Sequence, residues 1–90
     1  MERDLLERRL ALVERQITQA EHHAAIRRSN LAGLEGAGRG ASETADIIRD
    51  LLEWTERNLR TRIAERRWLR ARLRRTAVPP PMEGKGTPQR

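Results

Sequence analysis

Cysteine is absent from all 90 residues, which excludes a disulfide framework, a thiolate metal site and a thiol nucleophile. Phenylalanine and tyrosine are also missing. The aromatic complement is Trp54 and Trp68, too sparse for the stacked platforms with which single-strand binders hold bases. Proline is confined to Pro79, Pro80, Pro81 and Pro88, and no glycine precedes Gly33, so the first third of the chain lacks the usual interruptions of a helix. No apolar run exceeds a few residues, and the start, MERDLLERRL, is charged from its second position. The expectation is a cytoplasmic chain with neither transmembrane span nor secretory leader.

Ninety residues allow one small domain, and a chain of that size buries little surface by itself. With no disulfide available, a metal ion or association between copies is the remaining stabiliser. The only histidines, His22 and His23, are adjacent, leave one helix in different directions, and have no second His or Cys at helical ligand spacing. Association is therefore expected, with a homodimer favoured and no metal or cofactor. At an oligomer interface, the same two histidines would make assembly weaken at acid pH.

The net charge of +6 is carried by 19 basic residues against 13 acidic ones, and Lys85 is the single lysine. Its distribution is uneven. Residues 1–35 hold six acids and six bases, residues 36–60 five and four, and residues 61–78 one acid and seven arginines.

Leu6, Leu10, Val13, Ile17, Ala20, Ala24, Arg27, Leu31 and Leu34 recur at alternating steps of four and three, a heptad seam that predicts one helix over about 2–35. Beside it runs a second stripe, Leu5, Leu12 and Ile26, with Gln19 at the missing step. Apolar surface that broad calls for more than one neighbouring helix. Gly36, Gly38 and Gly40 then supply the backbone freedom to reverse the chain. Ser42 offers a cap to a second helix, and Glu43 and Asp46 place negative charge at its positive end. That helix is expected over about 43–76, with Ala45, Ile48, Leu52, Leu59, Ile63, Leu69, Leu73 and Ala77 on its inner side and Arg62, Arg66 and Arg70 interrupting them. A turn centred near Gly38 makes facing residue numbers total about 77. Glu14 would then meet Ile63 beside Arg62 and Arg66, Glu7 would meet Arg70, and Arg27 would meet Asp50. Pro79 marks the stop, so residues 1–78 form the hairpin domain and residues 79–90 a flexible tail.

The run LVERQITQAEHHAAIRRSNLAGLEGAGRG, followed by SETADIIRDLLE and IAERRWLRARL, resembles a group of short bacterial helical-hairpin proteins of unknown function. The resemblance covers roughly residues 10–73. It rests on the Ala-Glu-x-His step at Ala20 to His23, the Leu-Glu-x-x-Gly exit at Leu34 to Gly38, and the threonine-containing entry to the second helix. It implies a hairpin fold and brings no activity. The turn spacing, the two tryptophans and the tail depart from the group's pattern.

The glycines at 36, 38 and 40 precede a helix as phosphate loops do, but no strand leads into them, and Glu43 and Asp46 would repel an anion. No nucleophile stands near the histidines. Neither catalysis nor a cofactor is expected. Trp54 and Trp68 lie two heptads apart, aligned with Ile47 and Thr61 on a face away from the seam, as anchors of a second contact surface would. The expected architecture is all-α, an antiparallel hairpin that dimerises into a four-helix bundle. Its interface candidates are Leu6, Leu10, Val13, Ile17, Leu31, Ile48, Leu52, Trp54, Leu59, Ile63, Trp68, Leu69 and Leu73. The expected role is noncatalytic binding of a protein partner. The alternative is RNA or DNA binding through Arg67, Arg72, Arg74 and Arg75, an arrangement resembling, in architecture alone, small RNA-binding bundles built from two hairpins.

Overall fold

The structure, a computed structural model, describes residues 2–76. The boundary at residue 78, the seam position assigned to Ala77, the proline stop and the tail over 79–90 all fall outside those residues. Two helices make up the described part, α1 (Glu2–Gly36) and α2 (Glu43–Thr76), with no strand among the described residues. At about 1.5 Å per residue each rod is about 50 Å long.

The reversal between the helices follows from its residues. Gly38 adopts φ 77°, the left-handed conformation that an L side chain resists. Around it the Arg39 amide donates to the Leu34 carbonyl at 2.7 Å and the Gly38 amide to the Glu35 carbonyl at 3.1 Å, the paired bonds of a Schellman stop. Ser42 then starts α2. Its Oγ accepts from the Ala45 amide at 3.2 Å and donates to the Arg39 carbonyl at 2.7 Å, so one hydroxyl joins the loop to the first turn. Arg49 closes the loop from above, donating to the Gly40 carbonyl and pairing with Asp46 at 2.9 Å and Glu35 at 3.5 Å.

The helices pack antiparallel along the expected seam. Val13, Ile17 and Leu69 form the buried centre, with Leu6, Leu10, Leu59 and Ile63 packed against it, and Ala24 and Ala45 buried nearer the turn. The small alanines let the helices approach where leucines would hold them apart.

The register differs from the expected one. Interhelical ion pairs join residues whose numbers total 74 on one flank, Arg9 with Glu65 and Arg72 with Glu2, and 84 on the other, Arg28 with Glu56, Arg70 with Glu14 and Arg49 with Glu35. The seam between the flanks therefore pairs numbers totalling about 79 rather than about 77, because the loop adds residues after Gly38 before Ser42 restarts the helix. Glu14 accordingly meets Arg70, Glu7 pairs with Arg3 one turn away, and Arg27 meets Thr55 rather than Asp50. Only Arg70 of the three seam arginines takes an acid from α1. Arg62 pairs with Glu65 on its own helix at 3.5 Å, and Arg66 has no ion-pair partner among the described residues.

Candidate interaction face and arginine groove

A heptad step returns to the same side of a helix, so each helix carries its apolar second stripe at fixed intervals of seven. On α1 that stripe is Leu5, Leu12, Gln19 and Ile26. On α2 it is Ile47, Trp54, Thr61 and Trp68. Antiparallel neighbours are related by a local twofold axis perpendicular to the plane of the pair, which keeps equivalent flanks on one side. Both stripes consequently border the same face of the hairpin. A shallow groove of about 390 Å³ on this face is lined by Gln16, Gln19 and His23 from α1 and by Trp54 and Asn58 from α2, which ties the two stripes together directly.

The consequence is a hairpin with two unlike sides. Among the described residues, every large apolar side chain that stands exposed, Leu5, Ile26, Ile47, Leu51, Trp54 and Trp68, borders the tryptophan face. Trp54 is 58% and Trp68 55% exposed, so neither serves the hairpin's own core. The opposite side carries the pairs Glu14 with Arg70, Arg28 with Glu56 and Glu35 with Arg49.

Between the two stripes the tryptophan face has a polar midline that carries two ion pairs and, where Arg27 and Arg62 line the groove, two further arginines. Arg9 meets Glu65 at 2.6 Å, and Arg72 meets Glu2 at 2.8 Å. The hydrogen bond from Arg9 holds the Glu65 carboxyl below its ordinary range, against a smaller opposing effect of desolvation, and the same bond raises Arg9. At the centre of the face Arg27 donates to the Thr55 hydroxyl, which in turn donates to the Leu51 carbonyl at 2.7 Å. Thr55 is only 3% exposed, and this polar pair interrupts the seam where the sequence pattern set Arg27 against Asp50. Its signal was the heptad step from Leu52 to Thr55 to Leu59. Beside it, the buried Oε1 of Gln16 finds no hydrogen-bond partner within the hairpin. His22 and His23 are both exposed, their ring centres 6.1 Å apart, and His23 lines the groove. Among the described residues no three acidic or histidine side chains gather as a metal site, and no helix is long and apolar enough to cross a membrane.

The expected interface residues divide in two. Leu6, Leu10, Val13, Ile17, Leu59, Ile63 and Leu69 make the core within one hairpin, and Leu31, Ile48, Leu52 and Leu73 are half-buried on the helices that enclose it. Trp54 and Trp68 stand exposed outside that core.

The arginines are also divided. Arg67 and Arg74 come together with Arg66, Arg70 and Ile63 around a groove of about 240 Å³, on the side of α2 that carries the Arg70 pair with Glu14. Arg72 lies on the other flank, held by Glu2, and Arg75 stands one heptad beyond Trp68 on the tryptophan stripe. The sequence pattern assigned Arg66 and Arg70 to the seam rather than to the polyanion-binding set. Their spacing of four, interleaved with the seven between Arg67 and Arg74, was the available signal. Arg66, Arg67 and Arg74 have no acidic partner among the described residues.

Comparison with protein-family models, with curated proteins and with solved structures finds no match for this chain.

Proposed function

We propose that this chain is a noncatalytic interaction module of the bacterial cytoplasm. Two hairpins associate through their tryptophan faces into a four-helix bundle, and the bundle offers its outer helix surface to a protein partner. The observation that carries the reading is the segregation of exposed apolar side chains. Six large ones, two of them tryptophan, border one face, while interhelical ion pairs occupy the other side. Scattered exposure would need no explanation, but large apolar side chains gathered on one face of so small a body mark a contact surface. The test is sizing of wild type beside Trp54→Ala and Trp68→Ala, followed by partner capture with whichever variant keeps its mass. Loss of the wild-type mass on sizing assigns the tryptophans to self-association. Capture lost from an intact dimer assigns them to the partner.

A second reading rests on the arginine groove. Arg66, Arg67 and Arg74 leave uncompensated positive charge beside Arg70, an arrangement suited to the phosphates of RNA or DNA. Binding of mixed nucleic acid that falls steeply between about 50 and 200 mM salt, and that is lost in Arg66→Gln/Arg67→Gln/Arg74→Gln, would establish it. Absence of binding at about 50 mM salt would remove it.

A further inference from the structure

Resting on the dimer reading above, we propose that the second copy lies antiparallel across the tryptophan face, its turn over the first copy's open end. The twofold axis passes beside Gln19 and Thr61, so that Trp54 of each copy meets the partner's Trp68.

The two stripes themselves indicate the axis. On α1 the heptad positions read Leu5, Leu12, Gln19, Ile26, Gly33, and on α2 they read Ile47, Trp54, Thr61, Trp68, Arg75. Each series is apolar on either side of a polar centre. Gln19 is midway between Leu12 and Ile26, and Thr61 is midway between Trp54 and Trp68. With facing numbers totalling about 79, Gln19 and Thr61 stand at nearly the same height along the hairpin. One axis therefore serves both helices. Rotation about it lays α1 on the partner's α1 and α2 on the partner's α2. Leu12 then reaches the level of the partner's Ile26, and Ile47 that of the partner's Arg75, whose alkyl stem can cover it. Leu5 reaches the partner's Gly33, where no atom lies within 4 Å of the place a methyl group would take and a bulky neighbour has room.

Charge selects this orientation over the parallel one. Residues 2–18 and 61–76, the open half, hold eleven bases and five acids, whereas residues 19–60, the turn half, hold six bases and seven acids. Parallel stacking would set a half of net +6 against its equal. Antiparallel stacking sets it against a half of net −1. Arg9 with Glu65 and Arg72 with Glu2 are paired within each copy, so of the midline arginines Arg27 and Arg62 are the ones that bring further charge to the contact. A face about 50 Å long and two helices wide offers on the order of 1,000 Å² per copy, enough for a stable interface.

The absence of cysteine makes the test clean. Sizing comes first, and a monomer removes the dimer reading and this orientation with it. For a dimer, single variants Gln19→Cys, Thr61→Cys and Thr18→Cys are oxidised separately, and Gln19→Cys is also oxidised after mixing with Thr61→Cys. Residues beside a twofold axis approach their own copies within disulfide reach. The expected result is a covalent homodimer from Gln19→Cys and from Thr61→Cys, and none from Thr18→Cys on the charged side. A disulfide that forms only in the mixture overturns the orientation in favour of the parallel one. A dimer that no Gln19 or Thr61 variant cross-links, or that Thr18→Cys does, overturns the choice of face.

Discussion

Arg27 is a charged residue at a seam position, and Thr55 is the group that makes it tolerable there. The hydroxyl accepts from the guanidinium while donating to Leu51, so removing it leaves a half-buried cation short of a partner. Thr55→Val keeps the shape and should cost about 1–2 kcal/mol in urea unfolding, whereas adding Arg27→Met to it should recover most of that loss, since a matched apolar pair has nothing left unsatisfied. A titration-linked contact lies at the open end. The Glu65 carboxyl is held below its ordinary value, about 4.3, chiefly by the Arg9 hydrogen bond, so the unfolded chain takes up a proton before the folded one does. The resulting stabilisation is complete above that ordinary value and is lost as pH falls through the depressed one. Thermal midpoints measured from pH 7 down to 2 should show this decline in wild type and a shallower one in Glu65→Gln. An equal decline in both would show that Arg9 and Glu65 do not interact in solution.

Each helix end is set by a small number of backbone requirements. Gly38 holds φ 77° with open space around a would-be methyl, so Gly38→Ala should cost about 1–2 kcal/mol from backbone strain alone. Gly36 is helical and equally unobstructed, and Gly36→Ala should be neutral or stabilise by up to about 1 kcal/mol. Ser42→Ala should cost about 1 kcal/mol, and calorimetry of the three variants separates the effects. These elements were legible because their causes are local. The heptad of leucines, the glycine-marked stop and the Ser42 cap are written in consecutive residues, and the helices Glu2–Gly36 and Glu43–Thr76 follow closely. The register was less legible, because it depends on how many residues the loop uses between Gly38 and Ser42 and on which flank a pair lies, and the flank of Arg70 pairs numbers totalling 84 rather than 77, which puts Glu14 instead of Glu7 opposite it. The Arg27 contact with Thr55 was hidden for the same reason. The arginine groove was half legible, since Arg67 and Arg74 share it but Arg72 and Arg75 project elsewhere once the helix is placed.

At the scale of the whole molecule, the hairpin is a two-sided plate. One side bears ion pairs and the arginine groove, and the other bears six exposed apolar side chains flanking a polar midline. Its own buried centre of Val13, Ile17 and Leu69 is small for rods of this length, and large apolar surface remains in water unless a neighbour covers it. Covering the tryptophan face leaves the arginine groove outside, so a dimer would retain that groove for phosphate-bearing ligands at each of its two ends. Self-association is thus the claim on which the other functional statements depend. Sedimentation velocity on wild type and on Trp54→Ala/Trp68→Ala, at tens of micromolar and moderate salt, tests it most directly. A chain of 10.4 kDa should sediment as a species of about 21 kDa in wild type and as monomer in the double variant. Wild type sedimenting at the monomer mass across that range would contradict the account.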